Sequence, residues 1–327
     1  MNTNNDNYHN EIITAKTNDE MHVMRRIGDV MQKMWKHDFF KKITGDFKRF
    51  TYSDIDDFVG LFLHKHNVLS LKNFVIDGKK FPKHCCVSMK RIIAHGEATD
   101  LSLLNGLLRV DVVGFKSGVY VDNARTFLIG NCSEEQKKLL AINKSLIAFL
   151  VNVLTVEHSV LDVSIFIDKF LQHYDDCYVV PGLLGHAIGE VLHQKPSIPF
   201  SLKNMLQFKR LGVRYRFTHQ SAVCIEPVLS NYRIEHIDSI GNNYYPTVVK
   251  HNDEYCFVDY SNNVVLKHQT DDLQMKYPQI AKRMKTDCNV DVSTRHMVNC
   301  DNILFTHLEN TFVMTKNGLK TLTGDIV

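Results

Sequence analysis

The sequence predicts an α+β fold, because helix-rich and strand-rich segments alternate without the regular strand–helix–strand rhythm of a doubly wound sheet. The segment from Leu107 to Leu128 is rich in Val and Phe and is typical of two β-strands joined by a tight turn at Lys116-Ser117-Gly118. No repeat of short period is visible. The 327 residues, 44% of them hydrophobic and 23% charged, allow one large domain or two smaller ones.

Composition excludes several classes of protein. A formal net charge of +3 gives no general reason to expect nucleic-acid or membrane binding. The most apolar run, Ser145 to Leu154, is too short to span a bilayer, and the polar start MNTNNDNYHNE is not a secretory signal. The eight cysteines contain no C-x-x-C pair, so a zinc ribbon or a thioredoxin-type centre is not expected. We therefore predict a cytoplasmic protein with reduced thiols.

The N-terminal part is predicted to be a polar tail followed by helices. Residues 1–18 are Asn-rich and are expected to be disordered. A helix from Asn18 to about Lys36 follows, and Ser53 is expected to cap a second helix from Asp54 to His66. Residues at helical spacing in the first helix predict an apolar stripe that packs in the core, formed by Met21, Met24, Ile27, Val30, Met31 and Met34.

The middle of the chain carries strands and then helices. Val87 to Ala94 is predicted to be a strand that leads to His95. Ser133 with Gln136 forms a capping-box pattern that opens a helix reaching about Val153. Asp162 is expected to cap a further helix that ends near Tyr174.

The C-terminal part is more irregular. Val223 to Glu226 is a short apolar run closed by Pro227. Residues 230–300 are polar and turn-rich, with pieces of strand such as Tyr255 to Tyr260, and the segments 302–315 and 318–323 predict a last hairpin that carries Glu309.

Two aspartates in the central hairpin are the first sign of a functional site. A fold about Ser117 places position 111 opposite 123, so Asp111 and Asp122 become neighbours. Burial of two such carboxylates is costly, and at neutral pH the pair implies a shared proton or a bound cation. The alternative is that both acids face solvent on a wet strand face.

Other polar residues are stranded in apolar runs or beside turns. His186, Glu226 and Glu309 are stranded in apolar runs, and His95 and His193 lie beside turns. Each residue by itself is more typical of a structural role. Four carboxylates and one imidazole together, however, form an oxygen-rich donor set. Such a set is more typical of a pair of Mn, Fe, Co or Zn ions than of a zinc site built from thiolates.

The chain resembles the type I methionine aminopeptidases of the pita-bread fold, within peptidase family M24. The matching stretches, in the order of that family, are FPKHCCVSMKRIIAHG, VDVVGFKSGVYVDNARTFLIG, GHAIGEVLHQKP, CIEPVL and THLENTFVMTKNG. The aspartates lie eleven residues apart and His186 lies seven before His193, as the family motifs require. Prolidases and aminopeptidase P share the glycine–histidine segment.

The resemblance implies a curved antiparallel sheet in two pseudo-symmetric halves, covered by helices, as a single domain over residues 19–327. It also implies removal of the initiator methionine from nascent proteins by a hydroxide that two divalent metal ions (Co, Mn, Fe or Zn) activate. The implied metal ligands are Asp111, Asp122, His186, Glu226 and Glu309.

Further roles are implied for residues around those ions. Glu226 would also shuttle a proton, His193 would bind the carbonyl oxygen, and His95 would contact the scissile amide. The methionine pocket would be lined by Phe81, Cys86 and Leu192.

The chain departs from the family motifs at several positions. Ala187 stands where the family has glycine and would be strained if that position needs a positive φ. Asn123 and Asn310 stand next to the implied ligands Asp122 and Glu309, where the family has other residues. Residues that contact metal ligands tune the metal affinity, so these two changes are expected to alter it. The two glutamates are 83 residues apart, which indicates an insertion within about 230–300 that narrows access, binds a partner or only decorates the surface.

The partners expected from the resemblance are peptides that begin with Met; we predict no membrane association and a monomer. The basic segment 203–216 is interpreted as a solvated face, with docking to ribosomal RNA as the alternative. Two other functions stay open, a catalytically inactive pita-bread binding protein and an aminopeptidase or prolidase of different specificity.

Overall fold

The structure is a computed structural model, and it describes residues 11–76, 78–240, 243–251, 254–258, 296–298 and 303–324. Residues 1–10 of the predicted tail and most of the segment 259–302 lie outside the described residues. The α+β prediction is confirmed, because helices cover the outer side of sheets that are almost wholly antiparallel.

The helices begin and end close to the predicted positions. They are α1 (Asn18–Trp35), α2 (Asp38–Gly45), a short 3-10 helix (Phe47–Arg49), α3 (Tyr52–Lys65), α4 (Glu134–Val153), α5 (Asp162–Leu171) and α6 (Leu202–Arg210). The Met stripe of α1 is buried, as predicted for core packing, and Ser133 caps α4 in a capping box.

The strands form several small sheets. In chain order they are β1 (Val75–Ile76), β2 (Lys79–Lys80), β3 (Cys86–Ser88), β4 (Gly106–Lys116), β5 (Val119–Ile129), β6 (Tyr178–Val179), β7 (Leu184–Ala187), β8 (Gln194–Pro199), β9 (Ala222–Ile225), β10 (Val228–Ser230), β11 (Arg233–Ile240), β12 (Asn243–His251), β13 (Glu254–Val258), β14 (His296–Val298), β15 (Phe305–His307), β16 (Asn310–Thr315) and β17 (Gly318–Thr321). The strand orders are β3-β4-β5, β17-β16-β9-β7-β8, β15-β10-β6, β11-β12-β13-β14 and β1-β2.

The central hairpin has a register that differs by one residue from the predicted one. Lys116 pairs with Val119, so the loop has two residues, Ser117 and Gly118, and both have positive φ (49° and 86°). Two-residue loops of this kind match the twist of the strands that they join. Asp111 therefore pairs with Ala124 and not with Asn123.

The two halves of the molecule meet along β5 and β16. The backbones of Ala124 and Glu309 exchange both hydrogen bonds (3.3 and 3.1 Å), and Thr311 Oγ1 accepts from Asp122 N and donates to Asp122 O. One apolar core lies between β3–β5 and the helices α1 and α3, and a second lies between α4, α5 and the sheet of β7, β9 and β16. These contacts bring Asp122 of β5 next to the segment that carries Glu309.

Residues 11–17 of the predicted tail are ordered. Ile13 is buried and its N–H donates to Arg216 O, while Lys16 N donates to Gln220 O. The prediction of disorder is wrong for residues 11–17, because apolar burial and backbone pairing with the segment 216–220 offset the cost of ordering them.

Three predicted boundaries were also wrong. Thr51, and not Ser53, caps α3, because its hydroxyl accepts from Asp54 N while the Asp54 carboxylate accepts from Thr51 N. The strand before His95 covers only Cys86–Ser88, because the chain turns at Lys90, which has φ 49°. Asp162 is the first residue of α5 and does not cap it, because Leu161 is at the cap position without a side-chain hydrogen bond; the helix ends at Leu171, near the predicted Tyr174.

Part of the predicted insertion is described. Strands β11, β12 and β13 form an antiparallel sheet, with β14 added in parallel to β13. The described cysteines, Cys85, Cys86, Cys132, Cys177 and Cys224, are free thiols. Among the described residues, no helix has the length and apolar character that crossing a membrane requires.

Candidate metal centre

The aspartate hairpin places two carboxylates on the same face of the sheet. With Asp111 opposite Ala124 and Asp122 opposite Val113, the two acids are diagonal neighbours, whose side chains point to one side. The one-residue change in register decides this, because in the predicted register the side chains would point to opposite faces. Asp122 is 6% exposed.

His186 is oriented by its own strand. It lies in β7 opposite Cys224 of β9, and its Nδ1 is 3.0 Å from the carbonyl oxygen of Ala187. Since a carbonyl only accepts, Nδ1 carries the proton and Nε2 presents its lone pair. Nε2 lies 4.0 Å from Asp122 Oδ2 and 3.6 Å from Glu226 Oε1.

The two glutamates complete the group from the ends of other strands. Glu226 follows β9 directly, and Glu309 lies between β15 and β16. Two sets of side chains have ligand atoms within 4.8 Å of one another, namely Asp122, His186, Cys224 and Glu309 in one set and Glu226, His307 and Glu309 in the other. Four of the five predicted ligands, from four separate parts of the sequence, thus meet in one place, and Asp111 lies diagonal to Asp122 on the same face of the hairpin.

Burial raises the pKa of every carboxyl group in this cluster, and repulsion between the acids adds to the effect at Asp122, Glu226 and Glu309. The pKa of Asp122 is raised well above its usual range, first by burial and then by the charges of Glu309 and Asp111. Burial also raises the pKa of Glu226 and of Glu309, with nearby acids adding to the effect, and it raises that of Asp111. This upward direction of the pKa shifts is expected for buried carboxyl groups that have no positive charge close enough to stabilise their ionised form.

The donor atoms fit a divalent metal. One oxygen on each of Asp111, Asp122 and Glu309 is buried without a hydrogen-bond partner among the described residues. Unpaired buried oxygens of this kind are costly, and a cation would satisfy all of them at once. Carboxylates with imidazole are a donor set for Mn, Fe, Co or Zn, so the residues present fit the cofactor that the sequence predicts.

Other predicted site residues surround this cluster. The ring of His193 is exposed and lies 4.9 Å from that of His186, edge to face. Cys86 pairs directly with Asp111 across β3 and β4, and Leu192 is buried just before His193. Cys86 and His193 therefore lie beside residues of the cluster, and the roles of all three residues toward a substrate stay predictions.

Two predicted residues are placed less directly. Phe81 is partly buried against the first apolar core. His95 is exposed, has a φ of 56°, and packs its ring edge to face on Tyr244 at 4.9 Å. Their contacts with a substrate stay predictions.

The sequence reasoning missed three residues of the centre, Arg109, Cys224 and His307. Each lies two positions before a predicted ligand, Asp111, Glu226 or Glu309. Because side chains in a strand alternate, residues two apart face the same way, and this spacing could have found all three. Cys224 keeps its proton, because burial and the nearby carboxylates raise its thiol pKa well above the usual range.

The departures from the family motifs are accommodated. Ala187 lies in β7, paired with Val223, and is not among the described residues with positive φ, so its methyl group brings no strain. Asn123 and Asn310 contact each other, since Asn123 Nδ2 lies 3.2 Å from Asn310 Oδ1 and also donates to Glu309 O. Arg125 donates to the same Asn310 oxygen at 3.1 Å, so the two replacements form one network behind Glu309.

Arg109 connects the segments around the centre. Its buried guanidinium donates to four backbone carbonyls, those of Lys90, Ile92, Leu107 and Phe305. It therefore ties the turn before His95 to β4 and β15.

We expect Arg109→Met to lower the free energy of unfolding by about 3 kcal/mol, because an unsatisfied buried carbonyl costs about 1–3 kcal/mol. Urea unfolding of the metal-free protein measures this, with Arg49→Met as the control at an exposed site. An equal, small effect of both changes would contradict the structural role of Arg109.

Fold and site together define a protein with a carboxylate-rich candidate metal site, and comparison with known proteins gives the particular family. The sequence profile of metallopeptidase family M24 matches residues 22–265. The chain belongs to this family. Glu309 and His307 lie beyond the matched residues.

Relatives and solved structures agree with this assignment. A methionine aminopeptidase of Clostridium perfringens is 26% identical over 231 residues, which are 69% of this chain and 86% of that protein. The chain also matches 66% of a Rickettsia prowazekii methionine aminopeptidase at 25% identity over 55% of its own length.

Among solved structures, the alignment with a methionine aminopeptidase of Thermotoga maritima covers 96% of this chain and 100% of that chain, with a TM-score of 0.68 and 18% identity. The alignment with a prolidase of Pyrococcus furiosus covers 95% of this chain and 65% of the prolidase chain, with a TM-score of 0.57 and 13% identity. These likenesses confirm the predicted pita-bread fold.

Proposed function

We propose that this protein removes the N-terminal methionine from peptides and nascent proteins in a metal-dependent reaction. The observation that carries the proposal is the convergence of the predicted ligands, whose carboxyl groups have raised pKa values and unpaired buried oxygens. The names of the similar proteins supply the substrate class. We assign metal binding to Asp111, Asp122, His186, Glu226 and Glu309.

Two divalent ions would supply a nucleophile at neutral pH and polarise the carbonyl group of the first peptide bond. The side chains of the protein do the rest of the chemistry. Glu226 accepts the proton of the attacking water and passes it to the leaving amine. His193, exposed beside His186, donates a hydrogen bond to the carbonyl oxygen as it gains charge. His95 contacts the scissile amide.

The methionine side chain is assigned to a pocket lined by Phe81, Cys86 and Leu192. A thioether favours apolar and polarizable walls, which a phenyl ring, a protonated thiol and a leucine supply. The pKa of Cys86 is raised well above its usual range, first by burial and then by Asp111 and Asp122, so this thiol is neutral.

The sharpest test is release of methionine from Met-Ala-Ser by protein loaded with Co²⁺ or Mn²⁺ and by protein treated with a chelator. Cleavage of Met-Ala-Ser but not of Met-Pro or Gly-Pro dipeptides is expected, and chelation should abolish it. Cleavage of the proline dipeptides instead would identify a prolidase. A folded protein that binds no metal and cleaves nothing would be the inactive binding protein.

We place the reaction in the cytoplasm, with the protein as a monomer. Helix α6 has no buried residue and exposes Lys203, Lys209 and Arg210. This surface could face solvent or dock on ribosomal RNA, and salt-dependent cosedimentation with ribosomes, lost on reversing these three charges, would favour docking.

The insertion is proposed to shape the substrate side of the cleft. Ile93 N donates to Tyr244 O (2.7 Å) and Tyr244 N donates to Ala94 O (3.1 Å), so β12 is held against the segment that ends at His95. The ring of Tyr244 then supports the ring of His95.

We expect Tyr244→Ala to lower kcat/KM about tenfold, since a small misplacement of a catalytic group is costly. Tyr244→Phe keeps the ring and should leave kcat/KM near the wild-type value. Steady-state kinetics on Met-Ala-Ser compares the two variants, and equal rates for Tyr244→Ala and the wild type would contradict the role of the ring.

A further inference from the structure

His307 is held rigidly at the edge of the metal centre. It is the last residue of β15 and pairs with Val228 of β10. Its N–H donates to Thr126 Oγ1 (2.9 Å) and its carbonyl accepts from the same hydroxyl (2.7 Å). The backbone is therefore fixed from both sides, and its side chain is 4% exposed.

The imidazole of His307 faces the carboxylates. Its Nε2 lies 3.5 Å from Glu226 Oε2, and no residue in the described part of the chain forms a hydrogen bond with this nitrogen. The other oxygen of Glu226, Oε1, lies 3.6 Å from Nε2 of His186. Glu226 is thus placed between two imidazoles, one at each of its oxygens.

The separation fits a shared ion. Nitrogen and oxygen ligands at about 2.1 Å from one metal lie about 3–3.4 Å from each other. The Nε2–Oε2 separation of 3.5 Å is close to this range.

The donor atoms divide into two sets that share Glu309. One set contains Asp122 and His186, and the other contains Glu226 and His307. A bridging Glu309 would connect two ions, each with one imidazole beside it.

We propose that Nε2 of His307 is a further metal ligand of this centre, so that each of the two ions binds one imidazole. The proposal rests on the proposed function, because it concerns the ions of the same site. It goes beyond the five ligands that the family resemblance implies, and it makes the centre richer in nitrogen. Imidazole favours Zn, Fe and Co over Mn at the ion that it binds.

Metal binding itself tests the proposal, without an activity assay. The metal-free full-length protein is titrated with Co²⁺ by calorimetry, and absorption spectra follow the same titration. We expect two ions in the wild type. In His307→Gln we expect one ion to bind as before and the other to bind at least about tenfold more weakly.

The matched control is His158→Gln, which changes a half-buried imidazole that contacts Thr155 away from the centre. It should bind both ions as the wild type does. X-ray absorption of the wild type loaded with two Zn²⁺ gives a second reading that needs no variant, with an average of one imidazole per ion expected.

The outcomes separate the two proposals. Wild-type protein that binds no Co²⁺ would overturn the proposed function and, with it, the ligand role. Two ions in the wild type with half an imidazole per ion, or unchanged Co²⁺ affinities in His307→Gln, would overturn the ligand role alone.

Discussion

Asp122→Asn is expected to abolish peptide hydrolysis and, at the same time, to stabilise the metal-free protein. Loss of a proposed metal ligand would remove several kcal/mol of transition-state stabilisation, which corresponds to a fall in kcat of about 10³-fold or more. The metal-free protein gains because Asp122 is buried beside Glu309 and Asp111, whose charges repel it. An amide there carries no charge and can donate to either acid.

Thermal unfolding in the presence of a chelator measures the gain, and each 1 kcal/mol should raise Tm by roughly 2 °C in a chain of this size. Asp100→Asn, at an exposed position, is the matched control and should change neither kcat nor the Tm of the metal-free protein. A lower Tm for metal-free Asp122→Asn would mean that the carboxylate has a structural partner, and it would weaken the assignment of a cation site.

The metal-free protein is also expected to become less stable as the pH rises from about 4 towards neutral. The carboxyl pKa values of Asp111, Asp122, Glu226 and Glu309 are all raised in the folded state above their ordinary values of 3.8 and 4.5. The folded state therefore holds more protons than the unfolded state, and stability falls with pH. The stability that these bound protons contribute is complete at a pH below the ordinary pKa values, and it is lost as the pH rises through the raised pKa values.

Added metal should reverse this trend. Divalent ions bind the ionised carboxylates, so stabilisation by Co²⁺ should grow with pH, reaching about 2.7 kcal/mol per ion at a free concentration of 100 times Kd. Urea unfolding at pH 5 and pH 7.5, with Co²⁺ and with a chelator, checks both trends. A chelated protein that is more stable at pH 7.5 than at pH 5 would contradict the proposed burial of uncompensated acids.

The departures from the family motifs are best understood as a pair. Asn123 contacts Trp35, whose indole N–H donates to its side-chain oxygen (2.5 Å), and it also contacts Asn310. Thr323 Oγ1 donates to Asn310 Oδ1 at 3.1 Å. Since both amides share partners, a change at one leaves the other unsatisfied, which explains how two unusual residues occur together without displacing Glu309.

The sequence by itself determined the fold class, most helices and the five candidate ligands. Helix α4 was predictable because Ser133 and Gln136 form a local capping box. The stripe in α1 was predictable because Met24, Met31 and Met34 recur at helical spacing. The candidate ligands were proposed because acids and histidines are unusual in apolar runs and because the motifs resemble a known family.

Only the tertiary structure decided how these residues face one another. A two-residue loop at Ser117-Gly118 sets the hairpin register and so turns Asp111 and Asp122 to one face. His307 and Glu226 are far apart in sequence, and their contact depends on the pairing of β10 with β15. Local propensity carries no information about such long-range pairing, since it is fixed by which strands share a core and by the register of their backbone hydrogen bonds.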